Sequence, residues 1–244
     1  MATKRGSSQG WFVDFHEGLW LRGDETGCDE AAAIKRLLGL RRGQSVLDAP
    51  CGAGRIAVHL ARAGCKVTGA DRMGRFLSRA HRRFLAEKLS GRFLKCDMRE
   101  LDFRDEFDAV YNVGGSFGYF CDAENLDVLR RFGRALRPAG RVLIDQLNRE
   151  HVLRHFRPTM HEANLELSTT WDRRGQRVET TWTTTGPGTR RSCRSTIRLY
   201  TPSDFRRLFA NAALDVQAFY GSLTGEEYRR GSGRIYIVGR KQQF

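Results

Sequence analysis

Val46-Leu-Asp-Ala-Pro-Cys-Gly-Ala-Gly-Arg55 is the stretch that decides the fold. A short apolar run ends on Asp48, two glycines follow, and apolar residues then recur at helical spacing until Gly64. This pattern predicts a strand, a tight glycine turn and a helix. Gly52 and Gly54 allow the backbone to turn sharply and a ligand to lie against bare main chain, facing the free amide groups of the helix start.

The same glycine turn also fits a second kind of site. Gly52-Ala-Gly54-Arg-Ile-Ala57 matches the Gly/Ala form of the dinucleotide-binding fingerprint. In that arrangement a pyrophosphate lies on the turn, where Asp48 would repel it, whereas a ligand carrying an ammonium and a sulfonium would be attracted. The acid therefore favours S-adenosylmethionine over NAD.

The stretch resembles the first motif of class I S-adenosylmethionine-dependent methyltransferases. The resemblance continues in order through residues 67–71, 95–98, 112–120 and 136–140, and it covers residues 26–148 well. Within this family, the sequence is similar to the bacterial members that methylate small molecules. It implies a Rossmann-like α/β fold, in which a seven-stranded, mostly parallel sheet has helices on both faces. The alternation of strand and helix up to residue 147 independently requires crossover connections and a mostly parallel sheet.

The acids that end successive strands are the first candidates for cofactor binding. Asp71 follows Asp48 by 23 residues, close to the roughly 20 expected for an acid that binds ribose hydroxyls. The resemblance implies that Asp97 accepts the adenine amino group while Met98 packs on the ring; a helix cap is the alternative for Asp97. The expected cofactor-binding residues are Phe12, Trp20, Asp48, Gly52, Gly54, Asp71, Arg72, Asp97, Met98 and Asn112.

The N-terminal region divides into two parts. Residues 1–10 are polar and are expected to form a disordered tail. Residues 11–20 contain five large apolar side chains and are expected to form a short helix lying on the domain. Phe12 or Trp20 would stack on adenine or face a sulfonium by cation–π attraction, with plain core packing as the alternative.

A loop rich in glycine and aromatic residues, 112–120, follows a central strand at the carboxyl edge of the sheet, where ligands lie in open α/β sheets. By resemblance, this loop joins the cofactor and substrate pockets, and Phe117 and Tyr119 would contact the substrate. Sugar-amine members have a histidine where Tyr119 aligns. Tyr119 is the first candidate for orienting the nucleophile, followed by His151 and His155. The alternatives are a Tyr119 hydroxyl that satisfies a loop amide and histidines on a solvated helix.

The periodicity changes after residue 150. Residues 165–171, 178–185 and 192–200 are β-branched runs of period two, separated by strong turn signals. We expect an antiparallel β lid over the active site at 150–199, inserted in a methyltransferase domain of residues 11–149 and 200–244. Trp171 and Trp182 would line the pocket or, alternatively, pack between strands.

Composition limits the other possibilities. The net charge of +14 comes from 36 Arg and 6 Lys against 28 acids, spread over all 244 residues, which favours a solvated surface but permits RNA as a partner. The six cysteines contain no Cys-x-x-Cys pair and the histidines show no zinc spacing, so reduced thiols and no metal are expected. No apolar run approaches the about 20 residues of a membrane span, and no secretory signal is evident. We therefore expect a cytoplasmic protein without membrane contact.

The sequence favours methyl transfer to an amine or hydroxyl of a small molecule by in-line displacement. An RNA methyltransferase is the second possibility, although none of the five prolines adjoins another, so an Asp-Pro-Pro-Tyr motif is absent. A non-catalytic protein that binds S-adenosylmethionine is the third. Both a monomer and a homodimer are compatible with the exposed edge strands of a β lid.

Overall fold

The computed structural model describes residues 27–162, 165–185 and 192–243. The predicted tail at 1–10 and the predicted helix at 11–20, with Phe12 and Trp20, lie outside the described residues. The described elements, in chain order, are α1 (Gly27–Leu38), β1 (Ser45–Asp48), α2 (Ala57–Arg62), β2 (Lys66–Asp71), α3 (Gly74–Ala86), β3 (Gly91–Lys95), β4 (Phe107–Asn112), α4 (Asp122–Ala135), β5 (Leu136–Leu147), α5 (Arg149–Arg154), β6 (Thr159–Glu162), β7 (Leu165–Asp172), β8 (Arg177–Thr184), β9 (Ser192–Arg198), α6 (Pro202–Ala210), β10 (Leu214–Tyr220) and β11 (Arg234–Lys241).

Seven strands form the main sheet in the order β10-β11-β5-β4-β1-β2-β3. The five strands from β5 to β3 run parallel, while β11 is antiparallel to both of its neighbours. The predicted seven-stranded, mostly parallel sheet is therefore confirmed. Asp48, at the end of β1, lies opposite Gly69 on β2 and Tyr111 on β4, so the central strands end at a common edge.

Helices cover both faces of this sheet because its central strands are apolar on both sides. On β4, Ala109 and Tyr111 pack in the same cluster as residues of α1 and α2, whereas Val110 packs in a second cluster with residues of α4 and α6. All three side chains are fully buried. The period of two along β4 thus divides the core into two layers.

The start of α6 is set by hydrogen bonds between residues that are close in the chain. Thr201 Oγ1 accepts a hydrogen bond from Asp204 N at 3.1 Å, and Asp204 Oδ2 accepts one from Thr201 N at 3.0 Å. This reciprocal capping box satisfies two amide groups that a helix start otherwise leaves unpaired. These bonds between residues three positions apart set the start of α6.

A separate antiparallel sheet, with strand order β6-β7-β8-β9, follows β5 and forms the lid. Its three longer strands lie where the alternating runs predict them. The sequence did not predict β6 as a strand, and α5 entered only as a possible solvated helix. Gln146 joins the lid to the main sheet: its Nε2 donates to Phe117 O at 3.1 Å and Arg198 O at 2.8 Å, and its Oε1 accepts from Tyr200 N at 2.8 Å.

All six cysteines are free thiols. Within the described ranges, no three His, Cys, Asp or Glu side chains come together as a metal site. No helix in those ranges is long and apolar enough to cross a membrane.

Candidate active site

The two glycines of the turn after β1 serve different purposes. Both have positive φ, +52° at Gly52 and +73° at Gly54, which favours glycine. A Cβ on Gly52 would meet no atom within 4 Å, whereas one on Gly54 would lie 2.9 Å from the Cβ of Ala80 in α3. Gly52 therefore leaves open space for a ligand, and Gly54 allows α3 to pack against the turn.

Asp71 is fixed by this turn at the end of β2. Its side chain is buried, with Oδ2 accepting from Gly52 N at 2.9 Å and Oδ1 from Met73 N at 2.7 Å. Burial raises the pKa of Asp71, and the two amide hydrogen bonds and the Arg72 guanidinium oppose that rise. Since each carboxylate oxygen has two lone pairs, both oxygens retain capacity to accept a ribose hydroxyl.

Asp48 is more deeply enclosed. Burial raises its pKa well above the usual range and the carboxyl of Asp71 adds to this rise, while Tyr111 and Arg55 oppose it. The buried Tyr111 hydroxyl makes no hydrogen bond of ordinary geometry with a described residue, although it interacts electrostatically with Asp48. A cation beside Asp48 would favour the ionised carboxylate, so this position fits a positively charged ligand.

Asp97, just beyond β3, is held by an arginine two residues away. Arg99 donates from its main-chain N and its Nε to Asp97 Oδ1, at 3.0 and 3.1 Å, and from Nη2 to Oδ2 at 3.0 Å. Burial alone would raise the pKa of Asp97, but these hydrogen bonds and the nearby Arg72 lower it. The guanidinium of Arg99 also lies 4.3 Å from the centroid of the Phe120 ring. The bond from the Arg99 amide lies in a turn and not at a helix start, so the helix-cap alternative for Asp97 is wrong.

Asn112 brings the ends of β4 and β1 together. Its fully buried side chain donates from Nδ2 to Ala49 O at 2.7 Å and lies 3.7 Å from the sulfur of Met98. Its Oδ1 has no hydrogen-bond partner among the described residues. A buried acceptor without a donor is costly, so this oxygen fits a donor supplied by a ligand.

An ion pair between a buried carboxylate and a half-buried arginine, absent from the sequence predictions, supports the glycine loop after β4. Asp145 accepts from Arg234 Nε and Nη2, both at 2.7 Å, and its Oδ2 also accepts from Gly114 N at 2.9 Å. A Cβ on Gly115 would lie 3.0 Å from Arg234 Nη2. The sequence contains one signal for this ion pair: Asp145 lies inside the apolar run of β5, and a buried carboxylate needs a partner. The partner follows 89 residues later.

Tyr119 and Phe117, on the same loop, have different environments. Tyr119 is partly exposed, but its hydroxyl is enclosed, and burial raises its pKa above the usual range while Arg234 opposes the rise. The hydroxyl therefore stays protonated at neutral pH.

Phe117 is only 1% exposed and packs against the rings of Tyr200 and Phe205. The ring therefore packs in the core between the loop and α6, and the expected substrate contact of Phe117 stays a prediction.

His151 and His155 lie on α5, directly after β5. The Nδ1 atoms of these two rings face carbonyl oxygens, Gly231 O at 3.1 Å and His151 O at 3.0 Å respectively. When Nδ1 carries the proton, Nε2 is the acceptor nitrogen of a neutral imidazole. The Nε2 of His151 would lie 4.0 Å from a Cβ on Gly233, next to Arg234. The catalytic role of either histidine stays a prediction.

The two tryptophans of the lid contact neighbouring strands. Trp182 Nε1 donates to Ser195 Oγ on β9 at 2.8 Å, and the ring packs against buried Leu165 and Leu167 of β7. Trp171 lies opposite Val178 in the β7–β8 ladder. These contacts favour the packing alternative over a pocket-lining role.

Comparisons with known proteins agree with this geometry. Residues 46–140 match the family model described as a methyltransferase domain. A glycine/sarcosine N-methyltransferase of Halorhodospira halochloris is 31% identical over 153 residues, covering 62% of this chain and 57% of that protein. A crystal structure of an S-adenosylmethionine-dependent methyltransferase from Clostridium acetobutylicum superimposes with a TM-score of 0.76 at 13% identity, covering 93% of this chain and 95% of that one.

The fold and the strand-end motifs thus define the class: residues 46–140 match a methyltransferase domain, and the chain has the fold of S-adenosylmethionine-dependent methyltransferases. The resemblance inferred from the sequence is confirmed. Another similar structure is the amino pentose methyltransferase CalS10 of Micromonospora echinaspora, with a TM-score of 0.66 at 21% identity over 89% of this chain and 92% of that one. The chain spans about half the length of the curated relatives it matches, from 41 to 57% for the first three.

Proposed function

We propose that this protein transfers a methyl group from S-adenosylmethionine to an amine or hydroxyl of a small molecule. The observation that carries the proposal is the row of carboxylates, Asp48, Asp71 and Asp97, at three adjacent strand ends around a turn that is open at Gly52. The cofactor, when bound, supplies a methyl group on a positively charged sulfonium. An acidic sheet edge beside a turn with open space at Gly52 suits a positively charged nucleoside and disfavours a pyrophosphate.

The chain offers a matching group for each part of this cofactor. Asp71 retains oxygen lone pairs for ribose hydroxyls, and Asp97 with Met98 provides an acceptor and an apolar surface for adenine. Asp48 provides a negative charge for the cationic part. The unpaired Oδ1 of Asn112 provides an acceptor for an N–H donor.

The acceptor side has to align the nucleophile and exclude water. Orientation alone supplies on the order of 7 to 11 kcal/mol in well-aligned reactions. Tyr119, whose hydroxyl stays protonated, orients the acceptor heteroatom by donating a hydrogen bond. An ammonium acceptor must lose its proton first, and His151, with Nε2 as its acceptor nitrogen, is the candidate to receive it.

A small-molecule acceptor is supported by the lid beside this edge and by the names of two relatives, a glycine/sarcosine N-methyltransferase and an amino pentose methyltransferase. The exposed side chains Arg75, Arg79 and Arg82 of α3 are the observation that favours RNA as the alternative acceptor. RNA binding through such arginines would weaken steeply with salt. Methylation of small acceptors without any salt-dependent RNA binding would rule the alternative out.

The proposed function is tested by calorimetric titration with S-adenosylhomocysteine, with NADH as the parallel ligand. Saturable binding of S-adenosylhomocysteine alone, followed by transfer of labelled methyl groups to members of an amine and alcohol library, is the expected result. Binding of NADH alone, or of neither compound, contradicts the assignment. Cofactor binding without transfer to any small acceptor or RNA would instead indicate a non-catalytic binding protein.

A further inference from the structure

Arg149 extends from the main sheet to the base of the lid. It follows β5 directly, so its main chain lies at the carboxyl edge of the sheet. Its Nη1 donates to Oε1 of Gln176, in the turn between β7 and β8. The guanidinium therefore lies where the lid joins the sheet.

The contacts of Gln176 link this guanidinium to the loop that carries Tyr119. The main-chain oxygen of Gln176 accepts from Leu199 N at 3.1 Å and from Arg198 Nη1 at 3.3 Å. Arg198 N in turn donates to Gly118 O at 2.8 Å. Arg149 thus reaches the acceptor side of the proposed active site, away from the carboxylates of the cofactor side.

The other arginines of this region have carboxylate partners. Arg234 pairs with Asp145 at 2.7 Å, and both Arg177 and Arg198 pair with Asp122, at 3.3 and 3.4 Å. Among the described residues, none provides a carboxylate within ion-pair distance of Arg149, and the amide of Gln176 is its hydrogen-bond partner. A partly enclosed cation without a counter-charge is unfavourable unless a ligand supplies that charge.

The unused edge of the guanidinium has the geometry that suits an oxyanion. Arg149 Nε is buried and has no hydrogen-bond partner in the described parts of the chain. Nε and Nη2 together form a planar fork that binds both oxygens of a carboxylate. Because Nη1 is held by Gln176, this fork is fixed in orientation before any ligand arrives.

We propose that Arg149 binds a carboxylate of the methyl acceptor, so that the acceptor is a small amine or alcohol that also carries an acid group. This inference rests on the proposed function, because it assigns part of the same site. Arg149 acts as a specificity-determining residue: it selects the acid form of an acceptor over the uncharged amide of the same shape.

The direct test is nitrogen-15 NMR of the arginine Nε–H signals in the intact protein, with and without S-adenosylhomocysteine. The Arg149 signal is identified by its loss in Arg149→Lys, and Arg173→Lys, which removes an exposed arginine from the same lid turn, is the matched control. The protein is titrated with acetate, with acetamide and with inorganic phosphate. We expect the Arg149 signal to shift saturably with acetate and not with acetamide.

Each other outcome of this titration overturns the inference. The absence of a shift, or an equal shift with acetamide, shows that the fork does not bind a carboxylate. Tighter saturation with phosphate than with acetate assigns the fork to a phosphorylated acceptor instead. The titration itself uses the wild-type protein, and the two variants serve only to assign the Arg149 signal.

A kinetic test separates this inference from the proposed function. With matched acid and amide acceptors and labelled cofactor, we expect the wild-type protein to have a KM at least about tenfold lower for the acid, as hydrogen bonds to a charged group imply. Arg149→Gln should lose this preference with kcat little changed. Methyl transfer with no acid preference overturns the inference alone, whereas failure to bind S-adenosylhomocysteine overturns the proposed function and leaves the acetate titration as the test of Arg149.

Discussion

The two sides of the sheet's carboxyl edge differ in charge and in the way their residues are held. On the cofactor side, Asp71 and Asp97 accept hydrogen bonds from partners 19 and 2 residues away. On the acceptor side, Arg234 reaches Asp145 across 89 residues and Gln146 reaches Arg198 across 52. Asp71 and Asp97 are thus held by partners nearer in the chain than those of Arg234 and Gln146, although Asn112 on the acidic side bonds Ala49 across 63 residues. The acceptor side should therefore be coupled more strongly to global stability.

The largest expected effect is on the acceptor side. Asp145→Ala leaves the Arg234 guanidinium without its carboxylate and Gly114 N without its acceptor, so it should lower the free energy of unfolding by about 3 to 5 kcal/mol. Urea denaturation measures the loss. Glu150→Ala, which breaks an exposed pair with Arg230, is the control and should cost no more than about 1 kcal/mol. Equal losses for the two variants would show that the Asp145–Arg234 pair stabilises the fold no more than an exposed ion pair does.

The two glycines of the cofactor turn give the second effect. Gly52→Ala and Gly54→Ala should each cost about 1 to 2 kcal/mol of stability, because an L-residue is strained at positive φ. Gly54→Ala should lose about 1 to 3 kcal/mol more, because its Cβ would overlap Ala80. Thermal and urea unfolding of the pair, measured side by side, test this order. A larger loss for Gly52→Ala would mean that the open side of the turn is wrongly assigned.

A smaller effect is expected on cofactor affinity. Asp71→Ala should weaken binding of S-adenosylhomocysteine by about 1 to 3 kcal/mol, because the ribose hydroxyls lose their acceptor. Calorimetric titration measures it, and circular dichroism verifies the fold. Asp29→Ala, at an exposed acid of α1, is the matched control and should leave the affinity unchanged. Unchanged affinity in Asp71→Ala with an intact fold would show that ribose binds elsewhere.

The smallest effect is a change in the pH dependence of stability. Asp48 has a raised pKa in the folded state, so its contribution to stability is complete below its ordinary pKa of 3.8 and is lost as the pH rises through the folded value. Asp48→Asn cannot ionise, and its stability relative to wild type should increase across that window. Asp97 has a lowered pKa and contributes in the opposite sense: its stabilisation is present above pH 3.8 and is lost as the pH falls.

Urea unfolding over a series of pH values tests both signs, with Asp97→Asn as the counterpart of Asp48→Asn. A stability difference between Asp48→Asn and wild type that does not vary with pH would show that the Asp48 carboxyl titrates normally. That result would weaken the assignment of Asp48 as a buried site for a cation.

The sequence was sufficient for the main sheet and for the acids that end its strands. Each of Asp48 and Asp71 ends its own apolar run, and parallel strands bring such ends to one edge. The alternating runs predicted at 165–171, 178–185 and 192–200 match β7, β8 and β9, because alternation is a local signal. These features require no knowledge of distant contacts.

The remaining features depend on pairing across the chain. Strand β6 has only four residues and is defined by its register with β7, so a periodicity of two could not identify it. Arg234 is one of 36 arginines, and only the fold shows that it meets Asp145. Phe117 is expected at the substrate because its loop, rich in glycine and aromatic residues, resembles one that joins the two pockets, whereas the fold packs its ring against Phe205 of α6.

The hydrogen bonds of the Gln146 side chain also have a consequence for exchange of the lid. Gln146 lies on β5, the strand that leads into the lid. Its side chain accepts a hydrogen bond from the main-chain N of Tyr200, where the chain returns from the lid. The entry and exit points of the insertion are therefore neighbours, and a short connection would close the gap if the segment between them were exchanged. Because the glycine turn and its acids lie outside the inserted segment, exchange of the lid would leave them unaltered.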